Sequence, residues 1–432
     1  MKRVFLGRNV LAFSLVALAG MASVSAAQDT FPFTDLGGDG PGGDGEWEDL
    51  AIISPIYQVE EVPTLGGTES YATAISDNGW IAGGARLASG VNRAIRMVRG
   101  GVPQDLGSLP GLAYSSAYSI NNNGHVAGVS AAAANLFGTT AQPWIYRAGA
   151  FTDLDPMNRG VYSAATAVSD AGLVIGTNSF LGSGSVESFK WSSGAPVNLP
   201  DFPGDICRIS YGMGVNETGA AVGYSAAIGS CGDNRAVLYP SSGGIIDLGT
   251  LGGTNAQAQA INELGDVVGF SELPSGQNRA TLWSGGAIHN LGTLAGASFA
   301  LSINDDGIIC GYFLDSRNQQ RACVWISGQI FDLNTLMGNG GAGWRLLIAT
   351  GVNDQGQIVG QGRNAAGRLR GFVLTPPCRS DTNRDGGIDG EDVGVFFDSW
   401  SAGFSDSDIN LDGGVDAADV YYFFDLWTEG RC

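Results

Sequence analysis

Histidine is almost missing from this chain: 432 residues include two, His125 and His289. Neither has partners at the spacing of a metal site or a nucleophile triad, so zinc hydrolysis and triad chemistry find no support and both read as structural. Positive charge is scarce too, with 22 Lys and Arg against 42 Asp and Glu. Without clustered Lys and Arg the chain cannot neutralise phosphates, which excludes a nucleic-acid partner. Long apolar runs are also lacking. No segment after the N-terminal leader approaches about 18 apolar residues, so no membrane span is expected.

That leader joins Lys2, Arg3 and Arg8 to the apolar stretch VLAFSLVALAG and the small-residue site SVSAA. Residues 1–27 therefore read as a secretory signal peptide, with a secreted or cell-surface destination. No cysteine follows it where a lipid anchor would attach. Its removal takes three positive charges from a formal net charge of -20, and -20 - 3 = -23. Such acidity suits solubility and divalent cations. Residues 28–51 are acidic and Gly-rich, a flexible leader. All six cysteines lie beyond it, an even number consistent with three disulfides in an oxidising compartment.

What the chain does have is a repeat. The string AISDNGWIAG at Ala74 returns at Ser119, Ala167, Gly214, Ala260, Ser302 and Gly351, which makes seven copies. Their first glycines, Gly79, Gly124, Gly172, Gly219, Gly265, Gly307 and Gly356, lie 45, 48, 47, 46, 42 and 49 residues apart. Asn or Ser, two variable residues and then Gly supply the positive-φ position of a tight hairpin, and the flanks alternate as strands do. A further strand-like run follows in each copy, such as RATLW at Arg279. Then come a Gly-containing turn and a run related to DLGTLGG.

Four short antiparallel strands in each period of about 40 to 50 residues make a propeller blade, and paired turns argue against a solenoid. The predicted fold of residues 52–376 is an all-β, seven-bladed propeller. Its seventh copy stops after three strands at GFVLTP, and YQVEEVPTLGG (Tyr57 to Gly67) matches a fourth strand. The N-terminal strand is thus expected to complete the last blade and close the ring, removing an open sheet edge.

Residues 377–432 hold a second duplication, offset by 27 residues. DTNRDGGIDGED begins at Asp381 and DINLDGGVDAAD at Asp408. Each places oxygen donors at positions 1, 3, 5, 9 and 12, a backbone carbonyl at position 7 and Gly at position 6, the layout of a calcium loop. The expected ligands are Asp381, Asn383, Asp385, Gly387, Asp389 and Asp392 for one ion. Asp408, Asn410, Asp412, Gly414, Asp416 and Asp419 serve a second. A short helix is expected after each loop, with Val393, Phe396, Phe397 and Trp400 on a face that meets Val420, Phe423, Phe424 and Trp427.

Two resemblances follow from these motifs. The repeats, over about Ile52 to Pro376, resemble the HAF family of extracellular repeats, which share S-x-A-x-x-I-N-x-x-G-x-x-x-G and A-x-x-W elements. That implies an exported repeat protein and no particular reaction. The tail, with Asp rather than Glu at position 12, resembles a type I dockerin module of the short GC-type, framed here by Cys378 and Cys432. That resemblance implies calcium-dependent docking to a cohesin-like receptor. Positions 10 and 11, often hydroxyl residues in cellulosomal dockerins, are Gly390, Glu391, Ala417 and Ala418 here, so the receptor's identity does not carry over.

Cys378 and Cys432 bracket the tail and are placed to clasp its ends. Cys207 and Cys231 fall in two loops of the fourth copy on one propeller face, where a bridge fits. Cys310 and Cys323, on neighbouring strands, suit either a cross-strand bridge or two buried thiols. A recurring arginine (Arg93, Arg235, Arg279, Arg321, Arg370) resembles the carboxylate-binding arginines of a sialidase channel, and SDNGW at Ser76 resembles in part the sialidase Asp-box. The arginine's recurrence argues instead for a bond to a neighbouring loop carbonyl. Asp77, Glu217, Glu263, Asp305 and Asp354 follow the turn Asn or Ser and read as turn residues. The sequence thus leads to an exported, non-catalytic propeller attached by its tail. The alternative is a carbohydrate-active enzyme, a glycosidase or lyase, meeting an extracellular polysaccharide.

Overall fold

The computed structural model describes residues 57–134, 141–155, 160–180, 185–204, 206–338, 341–378, 380–382, 388–404, 407, 409 and 414–429. The segments expected to be a signal peptide (1–27) and a leader (28–51) lie outside them. The chain forms two compact units, one spanning Pro55–Arg379 and one containing Ser380–Gly430.

The first unit is a seven-bladed β-propeller, seven four-stranded antiparallel sheets taken in chain order. Six blades use consecutive strands. The seventh joins Arg345–Val352, Ile358–Arg363 and Leu369–Thr375 to the N-terminal strand Gln58–Val62, which pairs with the last of these from Gln58↔Thr375 to Val62↔Gly371. The ring closes as the phase of the repeats predicts. Glu61 secures the closure: its carboxylate takes Nε of Arg370 (2.6 Å) and the amide of Asn364 (2.8 Å), and Arg370 is buried.

The core lies between blades rather than within them. Ala82, Ala94 and Leu106 of the first blade pack with Ala117, Ile120, Val126 and Trp144 of the second. Val62, Val359 and Val373 of the seventh pack with Ile75, Ile81 and Ile95 of the first. A single copy cannot bury its apolar faces, so the ring folds as a set.

The two glycines of the repeated motif have different causes. The first ends the hairpin turn: Gly79 N–H donates to Ser76 O (2.9 Å) at φ +73°, a value that side chains disfavour. The second sits on the next strand, opposite an inner strand that bulges in every blade, as between Ala72 and Ala74 or between Ala300 and Ser302. The bulge pushes a carbonyl towards it. A Cβ at Gly83, Gly128, Gly176, Gly223, Gly269, Gly311 or Gly360 would come under 3.0 Å from that oxygen.

The second unit holds two helices, α1 (Gly390–Ser401) and α2 (Ala417–Glu429). They face each other as their apolar spacing predicts. Phe396 and Phe423 stack with centroids 4.2 Å apart and planes 2° from parallel, and Ile409 and Leu426 fill the same core. Among the described residues, no helix is long and apolar enough to cross a membrane.

The cysteines differ in part from expectation. Cys207 and Cys231 form a disulfide with Cα atoms 5.5 Å apart. Cys378 is disulfide-bonded; Cys432 lies outside the described residues. Cys310 and Cys323 are free and fully buried, so three disulfides do not form. The register explains why: Cys323 stands opposite Gly311 and Cys310 opposite Val324. One residue of offset sends the two side chains to opposite faces of the sheet. Burial pushes both thiols well above the ordinary cysteine range.

Candidate functional site

The repeated polar residues converge on one end of the propeller, where the seven hairpin turns encircle the axis. The turn Asn works in two directions. In Asn262, Oδ1 accepts from Asp266 N–H (2.8 Å) within the turn, while Nδ2 donates to Asn304 O (3.1 Å) of the next blade. Asn304 bonds Asn353 O, Asn353 bonds Ser76 O, Asn216 bonds Asn262 O, and Asn121 bonds Ser169 O. All five asparagines are buried. Ser76 and Ser169 occupy the same position with side chains too short to span the gap.

The following residue closes a second circle. Asp354 N–H donates to Asp77 Oδ1 (3.0 Å), Asp305 N–H to Asp354 Oδ1 (3.0 Å), Glu263 N–H to Asp305 Oδ1 (2.9 Å) and Glu217 N–H to Glu263 Oε1 (2.8 Å). Asp170 N–H donates to Glu217, Asn122 N–H to Asp170 Oδ1 (2.6 Å), and Asn78 N–H to Asn122 Oδ1 (3.0 Å). The five acids read from sequence as turn residues are turn residues, but each also accepts a neighbouring blade's backbone N–H. Asp170 and Asn122 belong to the same circle. Their identical place in the repeat was the signal for them, and the function of that place shows only when the blades are side by side.

The serine of the S-x-A element, S-x-G at Ser210, makes a third set of links, back to the preceding blade. Ser115 Oγ accepts from Ala94 N–H (2.9 Å), Ser298 from Ala280 (3.0 Å), Ser210 from Ser188 (3.0 Å) and Ser70 from Gly371 (3.2 Å). The bulge threonines add a fourth: Thr73 donates to Ala117 O (3.1 Å) and Thr166 to Gly212 O (2.8 Å). The polar signature of the repeat is therefore an inter-blade stitch.

The recurring arginines have structural partners too. Arg93 donates to Ala113 O (2.7 Å) and Arg279 to Gly296 O (3.3 Å), both loop carbonyls, and Arg370 to Thr68 O on the strand Gly66–Ile75. Arg235 and Arg321 pair with Asp247 and Asp332 of their own outer strands. His125 lies in a turn, where burial first, then Arg147 and Arg96, push its imidazole below the usual range. His289 is exposed on the outer strand Ala287–Asn290.

In the tail, the described members of the expected calcium set are Asp381, Asp389, Asp392, Gly414, Asp416 and Asp419. Asn383, Asp385, Gly387, Asp408, Asn410 and Asp412 lie outside the described residues. Asp389 caps α1, accepting Glu391 N–H on Oδ1 (2.8 Å), and Asp392 returns Oδ2 to Asp389 N–H (2.8 Å). Asp416 and Asp419 repeat this at α2, with 2.7 and 2.9 Å. Both pairs are capping boxes. The tryptophans cross over: Trp400 Nε1 donates to Asp416 O (2.9 Å) and Trp427 Nε1 to Asp389 O (3.0 Å). Asp392 and Asp419 are fully buried and Asp381 nearly so. Among the described residues, no three His, Cys, Asp or Glu side chains cluster as a metal group would.

No protein-family model and no curated protein matches the chain. Similar solved structures include TolB from Acinetobacter baumannii, at 12% identity over 69% of this chain and 64% of that one, with a TM-score of 0.38. The β-propeller domain of the Trilobed protease from Pyrococcus furiosus is 11% identical over 62% and 82%, with a TM-score of 0.43. The acylaminoacyl peptidase of Pyrococcus horikoshii is 11% identical over 70% and 51%, with a TM-score of 0.42. The chain thus spans under two-thirds of TolB's length, and likeness this distant carries nothing about activity.

Proposed function

We propose that this is an exported, non-catalytic propeller whose dockerin-like tail binds two calcium ions and attaches it to an extracellular partner. The observation that carries the reading is the reciprocal pairing of the tail, in which each tryptophan bonds the carbonyl at position 9 of the other loop. Two loops coupled in this way order together. Asp381, Asn383, Asp385, the Gly387 carbonyl, Asp389 and Asp392 would hold one ion. Asp408, Asn410, Asp412, the Gly414 carbonyl, Asp416 and Asp419 would hold the other. The set fits a hard cation: it offers oxygen donors only, and the buried carboxylates at position 12 gain from a nearby positive charge. Calcium supplies that charge and fixes the loops in the geometry that starts α1 and α2.

The partner follows from the resemblance, a cohesin-like receptor on a scaffold or cell surface, with an extracellular polysaccharide as a second candidate at the propeller. Calorimetric titration of calcium into the metal-stripped mature chain is expected to give two equivalents, lost in an Asp392→Ala, Asp419→Ala double variant. A pull-down from envelope and secreted fractions, run with calcium and with a chelator, reads the attachment. Calcium uptake without any calcium-dependent partner would refute docking and leave the tail as a metal-folded cap. No calcium uptake would refute the reading of the tail altogether.

A further inference from the structure

The circle of turn residues holds more negative charge than its hydrogen bonds require. Six of its seven positions are carboxylates: Asp77, Asp170, Glu217, Glu263, Asp305 and Asp354. The seventh is Asn122, and its amide relieves both neighbours, donating to Asp77 Oδ2 (3.1 Å) and Asp170 Oδ2 (2.8 Å) while its oxygen accepts from Asn78 N–H. From Glu217 round to Asp77 no amide intervenes, and carboxylate follows carboxylate with one backbone N–H between.

The charged groups acting on Glu263 are Glu217, Asp305 and Asp170. Those acting on Asp354 are Asp77, Asp305 and Asp306. All are anions. The cations near this end, Arg96 and Arg147, act on His125, which Asp170 also faces. Burial first, and then these like charges, hold the carboxyls of Glu263 and Asp354 above the ordinary carboxylate range; the N–H groups of Glu217 and Asp305 oppose this.

We propose that this circle is a charge-strained clasp: the blades are stitched together against the mutual repulsion of six carboxylates, so protonation or ionic screening tightens the propeller. The inference concerns the first unit alone and is independent of the tail's function. The sign follows from linkage. A carboxyl whose folded value is raised binds protons in the folded state that the unfolded chain has released. Its contribution is most favourable below the ordinary carboxylate range and falls as pH rises through the raised value. Carboxylates such as Glu61, which pair with arginine, oppose this in acid, so the clasp is read as a difference between variants rather than from the whole profile.

The test compares thermal midpoints of the full mature chain with those of Glu263→Gln, Asp354→Asn and Asn122→Asp, across pH and salt. Each amide keeps an oxygen for its N–H partner and removes one charge, as Asn122 already does. The amide variants are expected to melt about 2 °C higher than the parent at neutral pH, with the gain vanishing in acid. Asn122→Asp adds a seventh charge and removes two bonds; it should melt lower, with the loss shrinking in acid and in high salt. Amide variants that melt at or below the parent at neutral pH would overturn the clasp. So would a gain independent of pH, or an Asn122→Asp loss that neither acid nor salt reduces.

Discussion

Ser169 sits where five blades place an asparagine, and its hydroxyl is buried without a hydrogen-bond partner. The equivalent asparagines each make two bonds, one to the N–H four residues on and one to the next blade's carbonyl. Asn304, for example, accepts from Ile308 N–H (2.7 Å) and donates to Asn353 O (3.0 Å). Ser169→Asn should therefore gain a bond from Leu173 N–H and another to Asn216 O. At about 1 kcal/mol per neutral bond, less about 1 kcal/mol for fixing the longer side chain, the net gain is about 1 kcal/mol. Equilibrium urea unfolding followed by tryptophan fluorescence would show it as a midpoint about 0.3 M higher, for a slope of about 3 kcal/mol/M. The reverse change, Asn262→Ser, should lose both of that asparagine's bonds, to Asp266 N–H and Asn304 O, and shift the midpoint down by a similar amount. An unchanged or lowered midpoint for Ser169→Asn would refute the stitch as an account of why the repeat carries asparagine there.

Further expectations follow from other positions. Glu61→Ala removes the partner of buried Arg370 at the ring closure and should cost about 2 kcal/mol, read by the same unfolding assay; Glu61→Gln, which keeps an acceptor, should cost less. Replacing Cys207 and Cys231 together by Ser opens a bridge between residues 24 apart in sequence, with a loss of about 3 kcal/mol from the loop-entropy relation. Gly311→Ala would drive a Cβ against the Phe299 carbonyl and should cost up to about 3 kcal/mol by overpacking. The same substitution at exposed Gly90, where space is open but φ is +85°, should cost about 1 kcal/mol by backbone strain alone.

Much of this molecule was legible in its sequence because its information is repeated. Seven hairpin glycines in phase give the blade count, and the missing fourth strand of the seventh copy points to Gln58–Val62 as the closing strand. The duplicated tail shows in the i, i+3, i+4, i+7 spacing of Val393, Phe396, Phe397 and Trp400, which the stacked Phe396 and Phe423 bear out. These features depend on local periodicity, and periodicity survives in one dimension.

Other features were decided by what one blade meets in the next. Asn262 and Asn304 are 42 residues apart, so nothing local reveals that the first bonds the second's carbonyl. The closed circle of acids, the need for a bare second glycine beside a bulged carbonyl, and the charge relief at Asn122 all arise where strands from different copies approach. Register had the same role for Cys310 and Cys323, which neighbour each other in the sheet yet point to opposite faces. The sequence by itself determined the number of blades, their closure and the pairing of the tail helices. The tertiary structure decided which polar atoms face each other, because hydrogen bonding and repulsion act over a few ångströms and that proximity exists only once the ring is closed.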